Sequence, residues 1–138
     1  MNAVAQPRLL ATKLYAPRAA AEWVPRPQLL ERLNEDAHVP LILISAPAGS
    51  GKTALAAAWL HDLRRSPNAP TAAWLSLDAG DNDPARFWSY VVGALQTVDP
   101  SLGAGALAGL QAPSPPPSET TVSQLINDVA AWPKPIVL

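Results

Sequence analysis

The chain has 138 residues, 49% of them hydrophobic and 15% charged, enough to bury one domain-sized core. Ten basic residues against eleven acidic leave a formal charge of −1, and no basic cluster or stripe is present to track a phosphate backbone, so direct nucleic-acid binding by this segment is not expected. The lack of cysteine excludes disulfides and thiolate metal sites; no apolar run approaches the roughly 20 residues of a membrane-spanning helix and no signal-peptide pattern opens the chain, so no membrane partner and a cytoplasmic location are expected.

Within residues 1–25, Pro7, Pro17 and Pro25 oppose long helices and predict an extended N-terminal arm, with a domain over residues 26–138. Pro27 suits the first position of a helix, and the spacing of Leu29, Leu30 and Leu33 gives a short amphipathic helix ending near Asp36. A turn around His38 and Pro40 leads into Leu41, Ile42, Leu43 and Ile44, an apolar run read as the first strand. His38 and His61 stand far apart with no ligand spacing around them and are read as surface or helix-end residues, not metal ligands.

Directly after that run comes Ala46-Pro47-Ala48-Gly49-Ser50-Gly51-Lys52-Thr53, read as a phosphate-binding loop. Gly49 and Gly51 can take positive φ at little steric cost, which lets successive N–H groups converge on an anion. Lys52 brings an ammonium to the β- and γ-phosphates, the Thr53 hydroxyl is placed to ligate Mg²⁺, and a helix starting here aims its positive end at the same charge. The candidate ATP and Mg²⁺ site is thus Ala48, Gly49, Ser50, Gly51, Lys52, Thr53 and Ala54, with Thr53 the metal ligand. Ala46 stands where the usual GxxxxGK[ST] pattern has its first glycine. The alternative is a Gly-rich turn before an ordinary helix.

Leu55, Trp59 and Leu63 fall at i, i+4 and i+8, with Ala56 and Leu60 beside them, and predict a helix that packs on a sheet. Pro67 and Pro70 end it, and residues 72–77 read as a second, near-continuously apolar strand. Asp83 followed by Pro84 is an N-cap with proline at the first helical position, and Phe87, Val91, Leu95 and Val98 form the stripe of the helix it starts, widened by Trp88 and Val92. The carboxylates of Asp78, Asp81 and Asp83 invite a catalytic reading, but a strand-to-helix loop rich in Asp, Asn and Gly is what turn and cap chemistry predicts, and no catalytic residue is assigned. Residues 100–111 show weak periodicity, and 113–117 is a polyproline spacer rather than a partner ligand. Ser118 is placed to cap a helix with an apolar face of Val122, Leu125, Ile126 and Val129, and residues 136–138 begin a third strand. The five tryptophans are scattered and read as core or interface positions.

With these pieces placed, the chain resembles the N-terminal nucleotide-binding region of MalT-like, LuxR-family transcriptional regulators, within the STAND group of P-loop ATPases. The resemblance rests on Lys13-Leu14-Tyr15-Ala16-Pro17-Arg18, on Val24-Pro25-Arg26-Pro27 with the following Leu29-Leu30-Glu31-Arg32-Leu33, on residues 45–53, and on Ala73-Trp74-Leu75-Ser76-Leu77-Asp78 running into residues 81–87. It implies an α/β fold: a partial P-loop NTPase domain, a three-layer parallel sheet with helices on both faces, incomplete at about three strands. It implies phosphate and Mg²⁺ contacts at Lys52 and Thr53, and it adds Val24 and Arg26 as candidates near the adenine and phosphates, with a capping or surface role the alternative for Arg26.

In such regulators the ATPase module is a switch that self-associates when ATP and an inducer are bound, and a C-terminal helix-turn-helix reads DNA. The resemblance implies that the acidic strand end that positions Mg²⁺ and water, the sensor residues and the DNA-binding helices all lie beyond Leu138. Nucleotide binding without efficient hydrolysis is therefore expected. The family sheet sets a further strand between the first and third, so residues 41–45 are expected to lack their neighbour. Two alternatives stand beside this reading: a small-molecule P-loop kinase, and an inactive gene fragment.

Overall fold

Helix starts are where local chemistry speaks most clearly. The computed structural model describes residues 9–18, 20, 22–114 and 118–138. Helix α1 spans Pro27–Glu35, with proline at its first position and Asp36 closing it, as the sequence predicts. Helix α2 spans Lys52–Arg65, begins after Gly51 and ends with Arg64 and Arg65 in its last turn, where cations oppose the negative end of the helix dipole. Helix α3, Pro84–Gln96, is capped by Asp83, whose carboxylate accepts the Arg86 N–H at 2.8 Å. Helices α4, Ala104–Leu110, and α5, Ser118–Ala131, complete the set among the described residues.

Contacts divide the chain into two compact units. One takes in the described residues up to Tyr15, then Ala73–Ile136 and Leu138. Its core is Val91, Val92 and Leu95 of α3, Leu102 before α4, Ala106 of α4 and Leu125 of α5. Val92 has no exposed surface and Tyr90 is buried to 2%. The predicted stripe of α3 holds: Val91 and Leu95 are buried, and Phe87, Val98 and Trp88 pack against them. Phe87 and Trp88 meet edge to face, with centroids 5.1 Å apart, a favoured aromatic geometry.

The other unit takes in Ala16–Ala72 and Val137. Helices α1 and α2 pack together through Leu33, Ala57, Trp59, Leu60 and Leu63, all buried. Asn34 joins them: its side-chain oxygen accepts the Trp59 indole N–H at 2.8 Å and its amide donates to Asp62 at 3.1 Å. That satisfies the one polar atom of a buried tryptophan.

The strands differ from expectation. Strands β1, Thr71–Ala72, and β2, Ile136–Val137, are neighbours in a two-stranded parallel sheet. The α/β class holds, but among the described residues the three-stranded, three-layer sheet does not form. Of residues 72–77 only Ala72 lies in a strand, at the end of β1; Ser76 N–H instead donates to the Lys13 carbonyl at 2.8 Å. Residues 41–44 form no strand, and the N–H groups of residues 41–45 have no backbone partner among the described residues. A strand is defined by pairing, and this apolar run has no strand beside it. Leu41 and Leu43 are accordingly 82% and 84% exposed.

Three smaller readings also change. Within residues 1–25, expected to be extended, Ala11–Leu14 forms a 3-10 turn with Lys13 buried. Residues 100–111, read as weakly patterned, contain α4, whose N-cap Gly103 lies in the left-handed region. Helix α5 begins at Ser118 among the described residues, and Ile126 of the expected apolar face is 61% exposed. The spacer read at 113–117 falls partly outside the described residues.

Candidate functional site

The loop from Ala46 to Gly51 leads straight into α2, and its backbone has the conformation the glycines were expected to allow. Gly49 has φ 78° and Gly51 has φ 84°, in the region where a side chain would be strained. A Cβ on Gly49 would meet nothing within 4 Å, so this glycine answers to backbone conformation rather than to crowding. Gly51 is the N-cap of α2, and among the described residues no side chain caps that end, which leaves the first N–H groups of the helix without a side-chain partner there.

Lys52, the first residue of α2, folds back over the loop. Its ammonium donates to the Ala46 carbonyl at 2.7 Å and to the Pro47 carbonyl at 2.9 Å. Ser50 closes the same turn, its hydroxyl donating to the Pro47 carbonyl at 2.7 Å. Ala48 is exposed in the turn, Thr53 is exposed on the first turn of α2, and Ala54 is half-buried. The structure thus brings Ser50, Gly51 and Lys52 together around the loop carbonyls.

Of the two upstream candidates, Arg26 reaches the loop. Its Nη2 donates to the Ser50 carbonyl at 2.9 Å and lies 3.6 Å from where a Cβ on Gly51 would sit. Val24 is 75% exposed and makes no comparable contact, but both residues line a cavity of about 720 Å³ with Trp23, Pro25, Gly49 and Ala58. A second cavity, about 520 Å³, lies among Leu29, Leu33, Ile42, Ile44 and Lys52. Arg26, Ser50, Gly51 and Leu55 belong to the walls of both.

Residues 78–83 behave as the turn the sequence predicts. Asp78 accepts the Gly80 N–H at 2.8 Å, and Asp81 returns the favour to the Asp78 N–H at 2.8 Å, a capping box on the 3-10 turn Ala79–Asp81. Sequence reasoning missed Lys13, which is buried and bridges Asp78 at 2.7 Å and Asp81 at 2.6 Å; Arg86 adds a third contact to Asp81 at 3.2 Å. The Lys13 ammonium, ahead of the backbone N–H of Asp78, holds the Asp81 carboxyl below the usual carboxylate range. Asp78 shifts the same way, through Lys13 and then the Gly80 N–H, and the two carboxylates push Lys13 above its ordinary value. Lys13, Asp78, Asp81 and Arg86 thus pair with one another, and Lys13 staples its segment to the turn.

His38 sits at the end of α1 with Nδ1 2.9 Å from the Glu35 carbonyl, and His61 is exposed on α2. Among the described residues no group of three or more His, Cys, Asp or Glu side chains is placed to hold a metal. No helix among them is long and apolar enough to cross a membrane.

The comparison with known proteins bears on the whole length rather than on the loop alone. No protein-family model matches the chain. The HTH-type transcriptional regulator MalT of Cronobacter sakazakii is 34% identical over 130 residues, 94% of this chain. MalT of Klebsiella pneumoniae is 33% identical over 133 residues, and that of Vibrio cholerae 37% identical over 86. The chain belongs with the MalT-like regulators. It spans about 14% of the length of the first two relatives and 9% of the third. The MalT-like segment therefore carries both the loop and the Lys13 staple, while most of each relative lies outside the aligned residues.

Proposed function

We propose that this chain is the nucleotide-binding part of a cytoplasmic MalT-like transcriptional regulator and holds Mg-ATP in the loop that precedes α2. The observation that carries the reading is the loop itself: two glycines at positive φ leading into a helix whose first residue, Lys52, lays its ammonium over the loop carbonyls. Left-handed glycines before a helix N-terminus are the backbone form that converging N–H donors require, and the uncapped helix end adds its dipole.

The residues present fit the group. Gly49, Ser50, Gly51 and Lys52 would hold the phosphates, Thr53 would supply a hydroxyl ligand to Mg²⁺, and Ala48 and Ala54 flank them. Val24 and Arg26 line the cavity beside the loop. The metal, when bound, neutralises phosphate charge. The reading treats the chain as part of a P-loop nucleotide-binding domain that binds ATP without efficient turnover. It assigns DNA binding to a helix-turn-helix elsewhere in such a regulator, and self-association to the nucleotide-bound module.

A thermal melt tests the proposal. Mg-ATP at a hundredfold excess over its dissociation constant should stabilise the fold by about 2.7 kcal/mol, and Lys52→Ala should abolish the shift while leaving the unliganded midpoint nearly unchanged, because its side-chain contacts are exposed. A midpoint indifferent to millimolar Mg-ATP overturns the reading.

A further inference from the structure

The Arg26 guanidinium bonds to a carbonyl of the loop, not to empty space, and that choice of partner has a geometric consequence. A trans peptide is planar, with its C=O and the following N–H pointing in opposite directions. The bond from Arg26 Nη2 to the Ser50 carbonyl, 2.9 Å long, therefore turns the Gly51 N–H away from Arg26. The Ser50–Gly51 peptide is one that such a hold can fix. Gly51, with φ 84°, has no Cβ to resist rotation of that peptide, and among the described residues the Ser50 carbonyl has no other hydrogen-bond donor. A flipped peptide would present a carbonyl dipole where an anion needs a donor.

We propose that Arg26 is a positioning residue: it fixes the Ser50–Gly51 peptide so that the Gly51 N–H stays available to a polyphosphate, and so acts on the ligand through the loop. This rests on the nucleotide-binding reading above. Its place supports it, since Arg26, Ser50 and Gly51 form walls common to the two cavities beside the loop. The role differs from that of a cation that touches phosphate. A hold on a peptide serves any ligand that uses the Gly51 N–H, whereas a direct contact to the terminal phosphate serves ATP alone.

The test compares the 138-residue chain with Arg26→Ala and Arg26→Lys. Binding of Mg-ADP and Mg-ATP is measured by calorimetry, and the Gly51 amide is followed by ¹⁵N–¹H spectra without nucleotide. The expected result is an equal loss of affinity for both nucleotides in Arg26→Ala, about three- to tenfold. Its Gly51 amide should shift or broaden before any ligand is added, and Arg26→Lys, which can still donate to the Ser50 carbonyl, should recover much of both. Unchanged resonances from the last turns of α2, in the same unit as Arg26, establish that the variants are folded. An ATP loss more than tenfold beyond the ADP loss, or a Gly51 amide that does not move, overturns the proposal. If the unaltered chain binds neither nucleotide, the nucleotide reading falls, and the Gly51 amide in nucleotide-free protein still decides whether Arg26 holds the peptide.

Discussion

The Lys13 ammonium donates to Asp81 Oδ2 at 2.6 Å, joining residues 68 positions apart. The same ammonium lies 4.9 Å from the centre of the Tyr90 ring, and the Tyr90 hydroxyl accepts the Leu10 N–H at 3.2 Å. One buried lysine thus ties the segment around residues 10–14 to the turn before α3.

The staple makes stability depend on pH at both ends. Asp81 and Asp78 have folded pKa values below the ordinary carboxylate value. Their contribution is therefore complete above about pH 4 and is lost as pH falls through the folded values. Lys13 is raised, so its contribution is complete below about pH 10.4 and is lost as pH rises through the folded value. Melting temperature against pH should show a plateau between these limits, and Lys13→Met should lower the plateau and flatten both limbs. Limbs identical in the variant would show that other groups set them.

Gly103 is the next position at which the fold leaves little choice. Its φ is 68°, and a Cβ there would lie 2.8 Å from Leu125 Cδ2 and 3.0 Å from Val92 Cγ1. Gly103→Ala combines backbone strain with overpacking in the core and should cost about 1–3 kcal/mol in urea unfolding. An unchanged midpoint would mean that Val92 and Leu125 can separate without loss.

Two leucines of similar sequence character should respond in opposite ways. Leu95 is 4% exposed and Leu43 is 84% exposed. Leu95→Ala should cost about 2–5 kcal/mol through lost packing and a cavity, whereas Leu43→Thr should stay within about 0.5 kcal/mol and raise the concentration at which the chain precipitates. Equal costs in denaturant would refute the burial difference.

The contrast between α3 and residues 41–44 shows what a sequence discloses. Asp83 and Pro84 carry a helix start in their own chemistry, and Phe87, Val91 and Leu95 repeat at a spacing that needs no knowledge of the partner. The loop around Gly51 is equally local, and its left-handed backbone was legible. The run from Leu41 to Ile44 has the composition of a strand, yet a strand exists only where another lies beside it. The Lys13 staple was invisible for the same reason, since nothing near Lys13 in sequence announces Asp81. Arg26 was legible as a candidate but not its partner, because choosing the Ser50 carbonyl depends on how α1 and the loop meet.

The lysine folded over the Ala46 and Pro47 carbonyls means that the loop already holds a cation of its own. On the nucleotide-binding proposal, a polyphosphate entering it would take part in an exchange: two carbonyl acceptors would lose the ammonium as phosphate oxygens gained it. The heat released by such binding would then be a difference between similar bonds, with much of the drive coming from freed water and ions. A calorimetric titration should accordingly show modest enthalpy, with affinity that falls as chloride or sulfate is raised.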